Sequence, residues 1–318
     1  MLRGTVFAPP EGRPPGAAVV LLPGSGGLGN ETNMHWQARD LAAGGYVVLS
    51  LSPQGTGRSD TAGDPPCPAD HPVDPCPGIP YQQLENWLDA GSSGLDFALS
   101  DTNPFAAATD RSRAALVGYS LGARAVSVLQ GRDDRVDAAV ALDNLASDGN
   151  GDAGSPSGGG AAGTVIGGEL PGGPPVPVTP RVPAIGLGSD GPGPGNTSPS
   201  REQKKTAYSQ WRSSGLPTME LVFRGVAHGD FSQNPRSSNS TYARLFAHYT
   251  RAWLDRYLGG DAGAVDRLLA GSVAGRTTTD FLSLDFASAA YLPADDNIDS
   301  ADDGIDCDDL THDAGCLR

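Results

Sequence analysis

The chain has 318 residues, 38% of them hydrophobic, and a formal net charge of −15. That length suits one large α/β domain with a full core. The negative charge speaks against a nucleic-acid partner, since phosphate would be repelled, and no stretch approaches the roughly 20 apolar residues of a membrane helix. The charge is unevenly placed: residues 294–318 hold nine aspartates against Arg318 alone, so −8 lies there and −7 in the rest.

In chain order, Gly4 to Ala8 is strand-like and Ala17 to Leu22 is a buried apolar strand ending in Pro23-Gly24-Ser25-Gly26-Gly27. The spacing predicts a helix over Thr32 to Ala43, stopped by Gly44-Gly45, and another buried strand over Tyr46 to Leu51 before the turn-rich Pro53-Gln54-Gly55-Thr56-Gly57-Arg58. A Pro- and Cys-containing loop follows. Beyond it come a helix (Tyr81 to Ser100), a strand (Arg113 to Val117), a helix (Ala123 to Gln130) and a strand (Val136 to Leu142). Residues 144–182 are rich in Gly, Pro and Ser and read as a long surface loop. Pro183 to Leu187 is then a strand, Arg201 to Ser213 a helix, Thr218 to Phe223 a strand, and Thr241 to Leu258 an amphipathic helix. Asp261 to Leu269 adds a short helix, and Thr277 to Tyr291 has β-like runs that suit an edge hairpin. Short buried strands alternating with helices imply a mostly parallel sheet with helices on both faces, whose ligands sit at the carboxyl ends of the strands. Residues 1–292 are expected to form this domain, with 293–318 a separately organised or disordered acidic tail.

Four cysteines fall as two local pairs in polar segments, Cys67 with Cys76 and Cys307 with Cys316, each nine positions apart. Two disulfides are expected, hence an oxidising compartment and an exported protein whose signal is absent from this sequence, because Met1-Leu2-Arg3-Gly4 is not followed by a signal-peptide core. A metal site is the competing reading of the cysteines.

The chemistry centres on Gly118-Tyr119-Ser120-Leu121-Gly122. Among 44 glycines the Gly-x-Ser-x-Gly spacing says little alone; its position between a strand and a helix is what reads as a nucleophile elbow. A serine hydroxyl needs a base, itself oriented by an acid. Of five histidines, His228 alone follows a strand into a glycine turn. Asp190, after the strand at 183–187, gives the order Ser120, Asp190, His228 and is taken as the acid; Asp143, ending the strand at 136–142, is its rival, and Asp230 is read as holding its own loop. Oxyanion donors are expected from the Leu121 amide and from Ser25, with Gly26 close behind. Trp36, Tyr119 and the 144–182 loop are candidate walls of the substrate site.

Taken together, Leu22-Pro23-Gly24-Ser25-Gly26-Gly27, Gly55-Thr56-Gly57-Arg58-Ser59-Asp60, Gly118-Tyr119-Ser120-Leu121-Gly122, Gly188-Ser189-Asp190 and Ala227-His228-Gly229-Asp230 resemble the α/β-hydrolase superfamily from Gly4 to Gly260. Within it the chain looks most like secreted dienelactone-hydrolase-like and cutinase- or polyester-hydrolase-like enzymes. The resemblance implies an α/β-hydrolase fold, acyl transfer to Ser120, attack by water activated by His228, and no cofactor. No helical cap is evident between Leu142 and Pro183, so bulky or polymeric esters are expected to enter, and the protein is expected to be a monomer. The segment from Asp295 to Asp309, with Asp295, Asp299 and Asp303, is similar to calcium-binding loops of thrombospondin type 3 repeats and could hold a structural calcium ion; a solvated acidic tail is the other reading. A peptidase or thioesterase would use the same serine, and a non-catalytic module keeping the fold is the reading from a different class.

Overall fold

The computed structural model of the chain describes residues 1–25, 30–59, 84–143, 145–148, 176–191, 201–232, 240–293 and 304–318. Eleven strands and seven α-helices occur among them. The first half runs β1 (Arg3–Phe7), β2 (Gly16–Leu22), α1 (His35–Gly44), β3 (Val47–Ser52), α2 (Leu84–Ala98), β4 (Thr109–Tyr119), α3 (Leu121–Leu129) and β5 (Val136–Leu142). The second half runs β6 (Ala184–Ser189), α4 (Arg201–Ser213), β7 (Thr218–Phe223), α5 (Ser240–Tyr257), α6 (Ala264–Leu268), β8 (Ser272–Val273), β9 (Arg276–Thr277), α7 (Thr278–Phe281), β10 (Ala289–Leu292) and β11 (Ile305–Cys307).

Nine strands form one sheet in the order β1, β3, β2, β4, β5, β6, β7, β10, β11. The six from β3 to β7 are mutually parallel, while β1 is antiparallel to β3, β10 to β7, and β11 to β10. The strands are apolar on both faces because both faces are covered. Along β2, Val19 and Leu21 join a core with Ala38 and Leu41 of α1 and Phe246 and Trp253 of α5. Ala18, Val20 and Leu22 join a second core with Trp87 and Leu95 of α2, Val126 of α3 and Trp211 of α4. The period of two in each strand thus sends alternate side chains into different helix layers. From β2 the chain passes to β3 on one side and then to β4 on the other. The order therefore reverses between β2 and β4, and the carboxyl ends of those two strands flank the crevice where open α/β sheets take ligands.

Residues 304–318 correct the expectation of a separately organised tail. β11 lengthens the sheet through the register Ala290↔Cys307 and Leu292↔Ile305, Leu310 and Cys316 are buried, and the Leu310 amide donates to the Ser288 carbonyl at 2.6 Å. At the terminus the Arg318 amide donates to the Leu269 carbonyl at 2.7 Å. Asp306 and Asp308 both pair with Arg212 of α4. The expected Cys307–Cys316 disulfide is present. Closing so short a loop confines the unfolded chain, and replacing both cysteines by serine is expected to cost about 2–3 kcal/mol, read as an earlier denaturation midpoint; unchanged midpoints would mean that pairing with β10 alone holds this strand. The Cys67–Cys76 pair and the calcium candidates Asp295, Asp299 and Asp303 lie outside the described residues.

The ends of the Gly- and Pro-rich stretch are also more structured than a surface loop. Leu145, Ser147, Val178 and Val182 are buried. The edge hairpin expected over 277–291 is divided: β8 and β9 form their own two-stranded ladder, and β10 joins the main sheet. No helix among the described residues is long and apolar enough to cross a membrane.

Candidate active site

The turn from β4 into α3 carries the serine. Ser120 has φ 55° and ψ −118°, in the region a non-glycine residue seldom occupies. The bend is possible because both flanking positions lack a side chain. A Cβ on Gly118 would stand 2.1 Å from the Gly122 carbonyl oxygen, and one on Gly122 would stand 2.3 Å from the Leu22 carbonyl oxygen. Register with β5 fixes the height of the turn, the Ser120 amide donating to the Leu142 carbonyl at 3.0 Å. The hydroxyl therefore stands at the end of β4, above the first turn of α3.

His228 arrives from the far side of the sheet. After β7, Gly225 turns the chain with φ 69°, Val226 is buried, and residues His228–Phe231 form a single 3-10 turn. Phe231 anchors that turn by stacking on Phe246 with centroids 4.4 Å apart, and the Ala227 amide donates to Asp230 Oδ2 at 2.9 Å, so Asp230 does hold its own loop. Tyr119, wholly buried, donates its hydroxyl to the His228 carbonyl at 2.9 Å and lies under the imidazole with centroids 5.1 Å apart. These contacts bring His228 Nε2 to 3.0 Å from Ser120 Oγ.

The other imidazole nitrogen, Nδ1, meets Asp143 Oδ2. Geometry thus gives the acid position to the rival, and Asp190 is displaced from it. Asp143 follows the last residue of β5 with φ 64°, a left-handed turn that aspartate tolerates better than most residues. Its side chain is fully shielded while that of His228 is 15% exposed. Ser189, the last residue of β6, donates to the second carboxylate oxygen from its amide at 2.9 Å and its hydroxyl at 2.7 Å. Burial would by itself raise the Asp143 carboxyl. The hydrogen bond and charge of His228, the charge of Lys204 and the Ser189 hydroxyl outweigh burial and hold it below the usual carboxylate range. Asp190 instead accepts from the Gly225 amide at 2.6 Å, and the Gly191 amide donates to the Val226 carbonyl at 2.9 Å. These two bonds tie the loop after β6 to the loop that bears His228.

The expected oxyanion segment is pressed against the serine turn. Trp87 Nε1 donates to the Pro23 carbonyl at 2.6 Å. A Cβ on Gly24 would be 2.8 Å from the Tyr119 ring and 3.1 Å from Ser120 Cβ. Ser25 is the next residue, and Gly26 lies outside the described ones. Leu121 opens α3, where helix geometry leaves the first amides without intrahelical acceptors and gathers partial positive charge. Of the two aromatic wall candidates, Trp36, in the first turn of α1, packs against the core, and Tyr119 supports the histidine from below. Behind the oxyanion segment, Glu31 is buried and accepts from Ser52 and Arg58, so the helix turn that follows β2 is clamped to the end of β3.

Three residues at or just below this edge were given no role from sequence: Ser189, Lys204 and Glu220. The last had a visible signal, a carboxylate in the middle of the apolar strand Thr218-Met219-Glu220-Leu221-Val222-Phe223. Chemically, a carboxylate on Nδ1 fixes the imidazole tautomer that leaves Nε2 free to accept the Ser120 proton. Among the described residues, no group of three or more histidine, cysteine, aspartate or glutamate side chains is arranged to hold a metal ion.

No family model matches the chain, and no curated protein matches it in sequence. What stands is an α/β protein with a mostly parallel nine-stranded sheet and, at its carboxyl edge, a serine, a histidine and an aspartate in hydrogen-bonded series.

Proposed function

We propose that the chain is a serine hydrolase of the α/β-hydrolase type that cleaves carboxylic esters through an acyl-enzyme on Ser120. The observation that carries this reading is the uninterrupted series Ser120 Oγ, His228 Nε2, His228 Nδ1, Asp143 Oδ2, mounted on a strained strand-to-helix turn. Strain of that kind persists only where the surroundings over-determine it, and it clusters at functional sites.

In the proposed reaction Ser120 Oγ attacks the acyl carbon as its proton passes to His228 Nε2, and the carbonyl electron pair moves onto oxygen. The resulting oxyanion is received by the amides of Leu121 and Ser25. Collapse breaks the bond to the alcohol, which takes the proton from His228 and leaves. Water then gives a proton to His228 and attacks the acyl-enzyme, and return of that proton to Ser120 releases the acid. Asp143 keeps the imidazole oriented and offsets its transient positive charge. The Cys307–Cys316 disulfide supports an exported protein, because such bonds persist in oxidising compartments.

The test is hydrolysis of p-nitrophenyl esters of rising acyl length, with a polyester film and a thioester in parallel. Turnover of esters that disappears in Ser120→Ala is expected. Turnover of the thioester alone would move the reading to a thioesterase, and the absence of any turnover together with retained ligand binding would favour a non-catalytic module.

A further inference from the structure

Behind the acid, on the side of the sheet away from His228, lies a charged cluster that the proposed reaction does not use. Lys204 of α4 is 3% exposed. Its ammonium donates to the Ser189 carbonyl and stands 5.1 Å from the centroid of Phe286. Glu220 of β7 is equally buried, and neither of its carboxylate oxygens has a hydrogen-bond partner among the described residues. Both side chains lie across the bare backbone of β6. A Cβ on Gly186 would be 1.9 Å from Glu220 Oε2, and one on Gly188 would be 3.1 Å from Glu220 Oε1 and 3.5 Å from Lys204 Nζ. The two glycines are thus what makes room for an ammonium and a carboxylate inside the sheet layer.

The cluster is joined to the site by one residue. Ser189 accepts from Lys204 with its carbonyl and gives its amide and hydroxyl to Asp143. Lys204 and Glu220 also line a small pocket of about 50 Å³, together with Lys205, Tyr208 and Arg212 of α4 and Asp308 of the tail. Of those, Arg212 is engaged by Asp306 and Asp308.

We infer that Lys204 is a positioning residue for the acid, with Glu220 as its buried companion: its ammonium holds the Ser189 turn that gives Asp143 two hydrogen bonds, and its charge balances that carboxylate. This rests on the serine-hydrolase reading. Burial pushes the Glu220 carboxyl up to about 8, opposed by the Lys204 charge and helped by that of Asp143. Below that pH the cluster holds one cation, one anion and a neutral Glu220, a balance that a buried site requires. His228 then faces a fixed and compensated carboxylate.

The experiment is the pH profile of fluorophosphonate labelling at Ser120 in the native chain and in Lys204→Met, Lys204→Gln and Glu220→Gln, with Lys205→Met as a surface control. Removing the ammonium lessens repulsion of the His228 imidazolium, which then keeps its proton to higher pH. The acid limb is expected to move up by about 0.5–1 pH unit in both Lys204 variants. Lys204→Gln retains a donor for Ser189, so a shift shared with Lys204→Met belongs to the charge and not to a distorted turn. Glu220→Gln is expected to leave the acid limb in place. Its readout is stability: a carboxyl raised in the folded state contributes stability below its ordinary value near 4.5 that is lost as pH rises through about 8, and the glutamine variant lacks that decline. Acid limbs unmoved from native in both Lys204 variants, or a shift equalled by Lys205→Met, would overturn the inference while leaving native labelling, and so the hydrolase reading, intact. A native chain that does not label removes both.

Discussion

Asp143→Asn is expected to lower turnover of an activated ester about 10⁴-fold, the loss that follows when a triad acid becomes an amide and the imidazole takes the wrong tautomer. The reasons are local to this site. The Asp143 side chain is fully shielded, its two oxygens are committed to His228 Nδ1 and to Ser189, and an amide nitrogen facing Nδ1 would force the proton onto Nε2, where it blocks acceptance from Ser120. Asp190→Asn is expected to cost less than about tenfold, because an asparagine oxygen can still accept from the Gly225 amide and only the loop carrying His228 loses some hold. Steady-state kinetics of the two variants side by side distinguishes them. Equal losses, or a larger loss at Asp190, would return the acid to Asp190.

A second large effect concerns folding as well as rate. Gly122→Ala and Gly118→Ala each place a methyl group against main-chain atoms, 2.3 Å from the Leu22 carbonyl oxygen and 2.1 Å from the Gly122 carbonyl oxygen. Neither neighbour is a flexible side chain that can swing away. Relief would require α3 to lift from β4 and break the layer formed by Leu121, Ala125 and Val126, a cost of about 3–5 kcal/mol. Gly12→Ala is the control. Gly12 has φ 84° and nothing among the described residues within 4 Å of its would-be Cβ, so only backbone strain of about 1 kcal/mol is expected there. Chemical denaturation reads all three, and a near-native midpoint for Gly118→Ala would mean that the turn does not depend on close backbone contact.

The sheet was readable where strands are buried on both faces. β5 and β7 fall where the apolar runs at 136–142 and 218–223 place them, and α4 fills the span expected at 201–213. Periodicity reports burial: β5 and β7 are buried nearly throughout, and α4 buries one face. β11 could not be read, since Ile305-Asp306-Cys307 sits among aspartates and becomes a strand only through β10 and the disulfide. That information lies in distant partners. Ser120 and His228, which stand 3.0 Å apart through Oγ and Nε2, were legible because each sits on a local backbone feature, an elbow or a glycine turn, that leaves a trace in the sequence. Asp190 was preferred over Asp143, yet it is Asp143 that meets His228 Nδ1, because a strand-end aspartate leaves no such trace. Asp143 and Asp190 both follow apolar strands, and what separates them is which strand neighbours β4 and which carboxylate meets the Ser189 donors. Tyr119 was read as a wall, yet its ring is wholly buried beneath His228, because β4 turns position 119 to the α5 face of the sheet.

The central claim is that Ser120 is a nucleophile activated by His228. Its most direct measurement is mass-spectrometric mapping after treatment of the native chain with a fluorophosphonate. Modification confined to the peptide carrying Ser120, and abolished in both Ser120→Ala and His228→Ala, is the expected result. A folded native chain that stays unmodified, or a label that persists in His228→Ala at the native rate, would contradict it.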